Sequence, residues 1–577
     1  MRKWILLLFI LPVFTLRANQ IIVAESGGDY HSVQAALQAA LPGDSILVKE
    51  KSTPYYEKLN FVRGGNASDG YITLMAYPGQ HPILDGTDVA NNSASYTDDM
   101  IYLGNIDYVR IEGFEIRNVQ TTEGSGIRVY GYGSYIEIRN NEIHDIRGGG
   151  QSGGAMGITI YGADDNHSIN HLIIDGNYIH DCDPAWSEAL TLNGNVEHFE
   201  VTNNIVEDVN NIGIDFIGGE DWLSSKYARN GRCAWNQVYR ANAAYEDGYA
   251  AGIYVDGGQD IVIENNIVSQ CDLGIEIGAE NAGVVTQGIK VRNNTVYRNG
   301  KAGIVFGGYD YDTGRTKNCS FTGNTCYEND SLKTGHGEIW IQYAENNDVR
   351  NNIFYANAQN ILLYSETGNI ANTLDYNLWY SPAGENNARW IWNNSLHTGF
   401  TDYQQGTGQD AHSLFSDPQF VASAEFNFHL SLGSPAIDRG DPAFLPDSAE
   451  TDMDGQSRKI GSAVDIGADE VGATSSSSEF QPEFPDQCVL FPAYPNPFNP
   501  ATVISYQLTT AANISLDVFD AQGKNVIRLY SGIQTQGFHH IRWDGKNQWG
   551  VPCPSGNYFV RLQQSQRTQT VKILLIR

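Results

Sequence analysis

The stretch GIYVDGGQDIVIENNIV at residues 252–268 holds two short β-branched strands separated by a Gly-Gly turn, and its second strand ends in Asn-Asn. An ending of this kind, Asn-Asn or a variant such as Gly-Asn, recurs along the chain, and its final asparagine falls at Asn141, Asn177, Asn204, Asn236, Asn266, Asn294, Asn324, Asn352 and Asn377. Successive positions lie 36, 27, 32, 30, 28, 30, 28 and 25 residues apart. Repeats of this length, without helical periodicity, predict a β-solenoid in which each coil stacks on the one before it.

A second strand, usually opening with Gly-Ile, follows each Asn strand. The series is GITI (157–160), ALTL (189–192), GIDF (213–216), GIYV (252–255), GIEI (274–277), GIVF (303–306) and EIWI (338–341). Because side chains alternate between faces of a strand, Ile253 and Val255 are expected to point inward and Tyr254 outward. The recurrent asparagines are expected to stack in a ladder at a bend and to bond the neighbouring backbone.

The segment SVQAALQAAL at residues 32–41 is amphipathic and is followed by Pro-Gly-Asp, which predicts a helix that covers the first coil. This helix and the Asn-rich coils resemble the right-handed parallel β-helix proteins of the pectate-lyase-like superfamily, over roughly residues 20–470. The resemblance implies an all-β fold. The stretches SDPQF (416–420), SPAID (434–438) and DIGADE (465–470) resemble the closing segment of such proteins and predict an exit cap.

The two ends of the chain carry targeting signals. Arg2 and Lys3 precede an apolar run, which predicts a signal peptide over residues 1–18 and an exported protein. The β-helix is expected over 19–472, a Ser/Pro-rich linker over 473–488 and a small β-sandwich over 489–577. YPNPFNPATVISYQL (494–508) and WDGKNQWGVPCPSGNYF (543–559) resemble the C-terminal sorting domain of type IX secretion. That resemblance implies a type IX machinery partner and a secreted or surface-attached protein.

The composition narrows the partners further. The 36 Lys and Arg against 67 Asp and Glu give a net charge of −31, which argues against nucleic-acid binding because phosphate contacts need clustered cations. No segment after the signal peptide is apolar for long enough to span a membrane. We expect a monomer that binds an acidic polysaccharide.

Stacking the Gly-Ile strands gathers acidic groups on one outer face. Asp215, Tyr254 and Glu276 fall in one outward column on successive coils, and Asp256 is the next outward residue along its strand. With strand spacings of ~4.8 Å and ~6.6 Å between alternate residues, Asp215 lies about 10 Å from Glu276 and about 8 Å from Asp256. A single carboxylate is best interpreted as solvated surface. The cluster favours a functional site, because like charges side by side destabilise a sheet unless something compensates them.

Two enzyme chemistries suit this face. In the favoured chemistry, a lyase cleaves a uronate-containing polysaccharide by β-elimination, assisted by Ca²⁺ bound to the acidic side chains. The candidate Ca²⁺ ligands are Asp215, Asp221, Asp256, Glu276 and Glu280. Lyases of the resembled superfamily use Lys or Arg as base, which makes Lys226 and Arg229 the candidate bases and places Arg232 beside the substrate. A polymer epimerase shares the first step and stays open.

The alternative is an inverting glycoside hydrolase on the same face. Its two carboxylates need ~6.5–9.5 Å between them, which the diagonal distances to Asp256 satisfy. Tyr254, Tyr309 and Trp340 would then offer rings on which sugars stack. A non-catalytic carbohydrate-binding or adhesive surface protein is the third hypothesis.

Overall fold

A computed structural model describes residues 19–87, 98–148, 150, 153–224, 226–244, 248–308, 310, 313–472, 488–490, 498, 502–508, 512–520, 522–534, 537–564 and 567–575. The expected signal peptide, residues 473–487 of the expected linker, and Tyr309 lie outside the described residues.

The chain from residue 20 to 415 winds through three parallel β-sheets, here called sheets A, B and C. A typical coil enters sheet A, bends at an asparagine into sheet B, bends again into sheet C and then passes to sheet A of the next coil. Isoleucine, valine, leucine and phenylalanine fill the interior, as the alternation of side chains predicts. The fold is therefore an all-β parallel β-helix.

Sheet A has its main path through Gln20–Val23, Ser45–Val48, Ile72–Ala76, Val109–Glu112, Gly133–Arg139, Ile169–Asp175, Val196–Thr202, Arg229–Ala234, Gln259–Glu264, Lys290–Arg292, Ser320–Thr322, Asp348–Arg350 and Thr373–Asp375, with Val285–Gln287, Arg315–Lys317 and Ala344–Glu345 off that path. Sheet B consists of Ile83–Asp85, Glu115–Gln120, Glu142–Arg147, Tyr178–His180, Ile205–Asn210, Gln237–Asn242, Ile267–Ser269, Thr295–Tyr297, Thr325–Tyr327, Ile353–Tyr355, Leu378–Tyr380 and Leu414–Phe415. Sheet C consists of Leu59–Asn60, Ile101–Gly104, Glu123–Tyr130, Gly154–Gly162, Glu188–Gly194, Ile212–Ile217, Ala251–Asp256, Leu273–Gly278, Ala302–Phe306, Ile339–Ile341, Ile361–Ser365, Arg389–Trp392 and Ser395–Thr398.

The predicted asparagine ladder runs along the bend between sheets A and B. Each buried amide accepts from the backbone N–H of the preceding rung: Asn266 N donates to Asn294 Oδ1 at 2.9 Å, and Asn294 N donates to Asn324 Oδ1 at 3.1 Å. Each Nδ2 also donates to a carbonyl of the coil before, as Asn294 does to Ile263 O at 2.9 Å. The ladder thus satisfies backbone groups that the bend leaves unpaired inside the protein.

The glycine of the Gly-Ile strands is explained by the bend between sheets B and C. A Cβ built on Gly274 would lie 2.3 Å from the carbonyl oxygen of Gly303 and 2.4 Å from Val296 Cγ1. Gly252 meets Val268 at 2.4 Å in the same way. Only glycine lets consecutive coils approach this closely, which accounts for the regular opening of these strands.

The entry cap forms as predicted. The helix Val33–Ala39 begins after Ser32, whose Oγ accepts from Ala35 N at 3.1 Å, and it buries Val33, Ala36 and Leu37 against the first coil. At the far end, the helix Phe400–Thr407 buries Phe400 and Tyr403, and the Tyr403 ring stacks on Trp390 at 5.1 Å. This second helix covers the last coil. Short 3-10 helices occupy Glu385–Asn387 and Ser423–Glu425.

The segment 416–472, predicted to be an exit cap, instead runs back along the outside of the solenoid, and we call it the strap. Its hairpin Phe420–Ala422 and Asn427–Leu430 packs Phe428 on Tyr297 and Tyr327 of sheet B. Further along, Arg458 Nε donates to Asn293 Oδ1 at 2.8 Å beside the asparagine ladder. The helix Phe400–Thr407 already covers the last coil. The strap instead buries the outer aromatic rings of sheet B.

The C-terminal region contains two antiparallel sheets. One is formed by Cys488–Leu490, Thr502–Leu508 and Gly537–Trp543, and the other by Asn525–Gln534, Ala512–Asp520, Gly556–Gln564 and Arg567–Leu575. Trp543, Tyr506 and Leu516 belong to the hydrophobic core of this unit. Throughout the described ranges, the helices are too short and too polar to cross a bilayer.

Candidate active site

The outer face of sheet C carries the predicted column of side chains. The strand register pairs Asp215 with Tyr254, and Tyr254 with Glu276, so that the two carboxylates lie two coils apart. Asp256 pairs with Gly278, which carries no side chain on that face. On all three coils, the side chains thus alternate between the inner and outer faces of sheet C as the sequence predicts.

Glu188 joins this group and was not among the predicted residues. It opens the strand Glu188–Gly194 and is in register with Ile212, three residues before Asp215. Ala189 takes the position of the opening glycine and Glu188 comes just before it, so a search anchored on Gly-Ile starts one residue too late. We call the outer face of sheet C and the turns that leave it the acidic face, whose carboxylates belong to Glu188, Asp215, Glu220, Asp256, Glu276 and Glu280.

Two aspartates of the acidic face are almost fully buried. Asp215 is 2% exposed, and its Oδ1 has no hydrogen-bond partner among the described residues. Burial raises the pKa of Asp215 well above its usual range, and the charges of Glu188 and Asp256 raise this pKa further. Burial also raises the pKa of Asp256, whose Oδ1 accepts from Glu280 N at 2.8 Å. Both carboxyls therefore favour a bound proton or a cation.

The glutamates of the acidic face are shifted in the same direction. Burial, reinforced by the charge of Glu280, raises the pKa of Glu188 to about 7. Burial and then Glu280 raise the pKa of Glu276, and burial and then Glu220 raise the pKa of Glu280. The strongest neighbouring charges on these glutamates are all carboxylates. The face can thus hold one carboxyl protonated and another ionised near neutral pH.

The chain between sheet C and sheet A after Asp215 forms a loop that is closed by backbone contacts. Gly218 and Tyr227 form an antiparallel bridge, and Gly219 N donates to Lys226 O at 3.2 Å. Lys226 is half-buried in this loop, and its backbone faces Gly219, just after the end of the strand that carries Asp215. No ion pair of Lys226 is found within the described part of the chain. Of the predicted basic residues, Lys226 is the one that lies in the loop following the strand of Asp215.

The two arginines predicted beside it lie elsewhere. Arg229 is on sheet A, where Nη2 lies 2.9 Å from Glu197 Oε2 and Nη1 donates to Asn195 Oδ1 at 3.1 Å. Arg232 is on the same strand and pairs with Glu264 at 2.5 Å. The loop 218–228 ends before them, so their side chains belong to the outer face of sheet A. The structure does not bring either arginine to the acidic carboxylates.

The predicted calcium ligands divide into two groups. Asp215, Asp256 and Glu276 are on sheet C, and Glu280 is in the turn that follows, whereas Asp221 is exposed to solvent. Across the described ranges, the sets of three ligand atoms within 4.8 Å of one another lie at Glu142–His144–His180 and His429–Asp454–Asp469. The carboxylates of the acidic face are therefore separate oxygen donors, not a closed ligand shell.

The predicted sugar-stacking aromatics are less accessible than expected. Tyr254 is 4% exposed and packs with Val305 and Trp340 in a small apolar cluster on the outer face of sheet C. The Trp340 ring is 8% exposed and is covered by the stacked ring of His336 at 3.9 Å. Tyr249 is 54% exposed beside Trp340, with Lys301 Nζ over its ring at 3.2 Å. Tyr249 is therefore an exposed aromatic group that a sugar could contact.

Glu188 makes the stability of the protein depend on pH. Its pKa rises from 4.5 in the unfolded chain to about 7 when folded, so the stabilisation is complete below about pH 4.5 and is lost as the pH rises through about 7. We expect the free energy of unfolding to fall by up to about 3 kcal/mol more in wild type than in Glu188→Gln over this interval. Urea unfolding at several pH values measures the difference. Glu385→Gln, at an exposed glutamate, serves as the control, and equal slopes in wild type and Glu188→Gln would contradict the assignment.

The fold and the acidic face define a right-handed parallel β-helix protein with carboxylates along one sheet. Residues 245–402 match the family described as right handed beta helix region, and residues 498–568 match the FlgD Ig-like domain. The chain belongs to the family of the uncharacterized protein YwoF of Bacillus subtilis (strain 168), to which it is 33% identical over 420 residues, 70% of this chain and 88% of YwoF.

Two further proteins are similar to this chain. It is 25% identical over 360 residues to pectate lyase L of Paenibacillus polymyxa (strain SC2), covering 56% of this chain and 73% of that lyase. Among solved structures, the A-module of the mannuronan C-5 epimerase AlgE6 of Azotobacter vinelandii has a TM-score of 0.40 at 11% identity, covering 61% of this chain and 92% of the module.

Proposed function

We propose that the chain is a polysaccharide-acting enzyme whose active site is the acidic face of sheet C. The observation that carries this proposal is the burial of Glu188, Asp215 and Asp256 next to one another, all with raised pKa values. Such an arrangement costs stability, because each carboxylate disfavours the ionised state of its neighbours. Carboxyls whose pKa values are raised by burial and by neighbouring charges are common at sites that transfer protons.

We propose lyase chemistry on a uronate-containing polymer, supported by the similarity to a pectate lyase. Lys226 would take the proton from the carbon next to the uronate carboxylate. The electrons of that C–H bond form a C=C bond, the glycosidic C–O bond at the adjacent carbon breaks, and the departing oxygen takes up a proton. Glu188, with a pKa of about 7, is suited to donate this proton.

Calcium suits the donor chemistry of this site. Carboxylate oxygens are the ligands that Ca²⁺ prefers, and the unpartnered Oδ1 of Asp215 is a buried oxygen without a donor among the described residues. Asp215, Asp256, Glu276 and Glu280 are the candidate ligands, and because they are separate donors the ion would take one or two of them together with the carboxylate of the substrate. When bound, Ca²⁺ supplies positive charge that offsets the protein carboxylates and attracts the carboxylate of the substrate.

An inverting glycoside hydrolase is the second candidate, and the pKa of Glu188 favours it. A carboxyl that titrates near neutral pH serves as general acid, while an ionised neighbour activates water. This mechanism needs neither a lysine base nor a cation. Lyase and hydrolase therefore differ in their dependence on Lys226 and on calcium.

Incubation with pectate, alginate and glycosaminoglycans, with and without chelator, separates the candidates. The proposal predicts unsaturated products that absorb in the ultraviolet and that disappear with chelator. New reducing ends without this absorbance would indicate a hydrolase, and inverted sugar configuration without cleavage would indicate an epimerase. Retention on a polymer without any product would indicate a binding protein and would contradict the proposal of an enzyme.

Replacement of Lys226 by glutamine tests the base directly. Loss of a general base is expected to lower kcat by about 10²- to 10⁴-fold with little change in the melting temperature. Lys290→Gln, on sheet A and paired with Asp447 at 3.0 Å, is the matched control and should retain activity. Full activity of Lys226→Gln would remove this lysine from the mechanism and leave the carboxylate pair as the catalytic groups.

We further propose export through type IX secretion, with the C-terminal unit as sorting domain. The support is the sequence resemblance of residues 494–508 and 543–559, together with a compact unit of two antiparallel sheets. In a host with this secretion system, the full chain is expected in the medium or on the cell surface. A chain truncated after residue 472 should accumulate in the periplasm, and its appearance outside the cell would contradict the proposal.

A further inference from the structure

Three segments of the strap meet at a cluster of side chains far from the acidic face in the fold. His429 comes from the strand Asn427–Leu430, Asp454 from the turn after Asp452, and Asp469 from the last described part of the strap. One ligand atom from each of His429, Asp454 and Asp469 lies within 4.8 Å of the other two. The acidic turn Asp-Met-Asp-Gly at 452–455, which lacks the spacing of an EF-hand, thus takes part in a three-dimensional cluster.

The orientation of His429 is fixed by its other ring nitrogen. Asn427 Oδ1 accepts from the backbone N of His429 at 3.1 Å and lies 2.5 Å from His429 Nδ1, so Nδ1 carries the proton. Nε2 then faces both carboxylate oxygens of Asp454, at 3.0 and 3.1 Å. A metal-binding histidine is typically held in this way, with the second nitrogen donating to an oxygen and the first directed at the ion.

One carboxylate oxygen of Asp452 is buried without a hydrogen-bond partner among the described residues. Asp452 is 0% exposed, and its Oδ1 accepts from Asp454 N at 3.0 Å and Gln456 N at 2.7 Å, while its Oδ2 has no partner among the described residues. The hydrogen bond from Asp454 N places the carboxylate of Asp452 next to the cluster, outside the set of three whose ligand atoms lie within 4.8 Å of one another. A buried carboxylate oxygen without a donor is costly unless a cation or proton is present.

Nearby positive charge is already committed to other groups. Arg458 is the cation that acts on Asp452, and its guanidinium binds Glu470 Oε2 at 2.7 Å, Asn293 Oδ1 at 2.8 Å and the carbonyl oxygens of Asp465 and Gly467. Asp469 Oδ2 accepts from Leu430 N at 2.7 Å, which leaves its Oδ1 for another partner. The cluster therefore has two carboxylates and one imidazole, with Asp452 next to them, and Arg458 is already bound to other groups.

We propose that His429, Asp454 and Asp469 form a binding site for a divalent transition-metal ion of the zinc class, with the buried carboxylate of Asp452 next to it. One imidazole nitrogen with two carboxylate oxygens and an open fourth position is a donor set suited to Zn²⁺ or Mn²⁺, and imidazole makes Ca²⁺ a poorer fit. The side chains of His429 and Asp454 are 38% and 39% exposed, so an ion can enter from solvent. The ion would fasten three segments of the strap to one another and hold the strap against sheet B.

Metal titration of the full-length protein tests this site. After removal of bound metal with chelator and dialysis, calorimetry with Zn²⁺, Mn²⁺ and Ca²⁺ should give a strong Zn²⁺ site that Ca²⁺ does not fill and that does not depend on the second set of close ligand atoms, Glu142–His144–His180. Saturating Zn²⁺ should raise the melting temperature, because an ion that binds only the folded protein stabilises it. Asp454→Asn and His429→Gln should each weaken Zn²⁺ binding at least tenfold and abolish the thermal shift.

Controls separate this site from other metal-binding groups and from a proton. His412→Gln removes an exposed histidine that lies 2.7 Å from Asp375, and this variant should bind Zn²⁺ as wild type does. Asp215→Asn, on the acidic face, should also leave Zn²⁺ binding unchanged. Equal Zn²⁺ affinity in wild type and Asp454→Asn would overturn the proposal. So would a melting temperature that responds to pH but not to Zn²⁺, since the histidine would then be an imidazolium paired with the aspartates.

Discussion

Asp215→Asn is expected to lower kcat/KM by about 10²- to 10⁴-fold while raising the melting temperature. Asp215 is buried between Thr191 and Tyr254 on sheet C, and its Oδ1 has no hydrogen-bond partner among the described residues. Its neighbours Glu188 and Asp256 disfavour its ionised form. A neutral amide of the same shape removes this repulsion and also removes the group that binds a proton or a cation.

Activity assays on the polymer that wild type degrades, together with thermal unfolding, measure both effects. Asp260→Asn, at an exposed aspartate on sheet A, is the matched control and should change neither quantity. Opposite signs for activity and stability are the signature of a group retained for function at the expense of stability. A folded Asp215→Asn protein with wild-type kcat/KM would exclude Asp215 from the active site.

Asn294→Ala is expected to lower the free energy of unfolding by about 3–5 kcal/mol. The Asn294 amide accepts from Asn266 N, donates to Ile263 O and donates to Asn324 Oδ1, and its side chain is fully buried. Alanine leaves a buried N–H and a buried carbonyl unpaired, and each costs about 1–3 kcal/mol. The cavity left by the amide adds to this cost.

Denaturant unfolding of the purified protein measures this loss. Asn386→Ala, at an exposed asparagine of the 3-10 helix Glu385–Asn387, is the control and should stay within about 0.5 kcal/mol of wild type. A change below about 1 kcal/mol for Asn294→Ala would contradict the view that the ladder is a principal source of stability.

The regular part of the fold follows from local rules. The spacing of Asn266, Asn294 and Asn324 predicts the coil, and the ladder geometry agrees because a stacked amide pairs with the same backbone groups in every coil. The alternation of strand residues likewise places Asp215 and Glu276 on one face. These features depend on neighbours one coil away, which is the range that a repeat in the sequence encodes.

The features that sequence analysis missed depend on longer-range contacts or on broken patterns. Glu188 occupies a position at which the repeat has no glycine, and its role appears only when strands are in register. The side on which Arg229 falls depends on where the loop 218–228 ends, which strand alternation does not determine. The course of the strap over sheet B depends on contacts such as the one between Arg458 and Asn293. These two residues are 165 positions apart in the chain, which no repeat in the sequence encodes.

A crystal structure of Asp215→Asn with an oligosaccharide of the polymer that wild type degrades tests the central claim most directly. The bound sugar is expected along the outer face of sheet C, with its scissile bond beside Glu188, Asp256 and Glu276 and its ring near the exposed Tyr249. Sugar bound to sheet A, sheet B or the C-terminal unit, with the acidic face left untouched, would contradict the claim that this face is the active site.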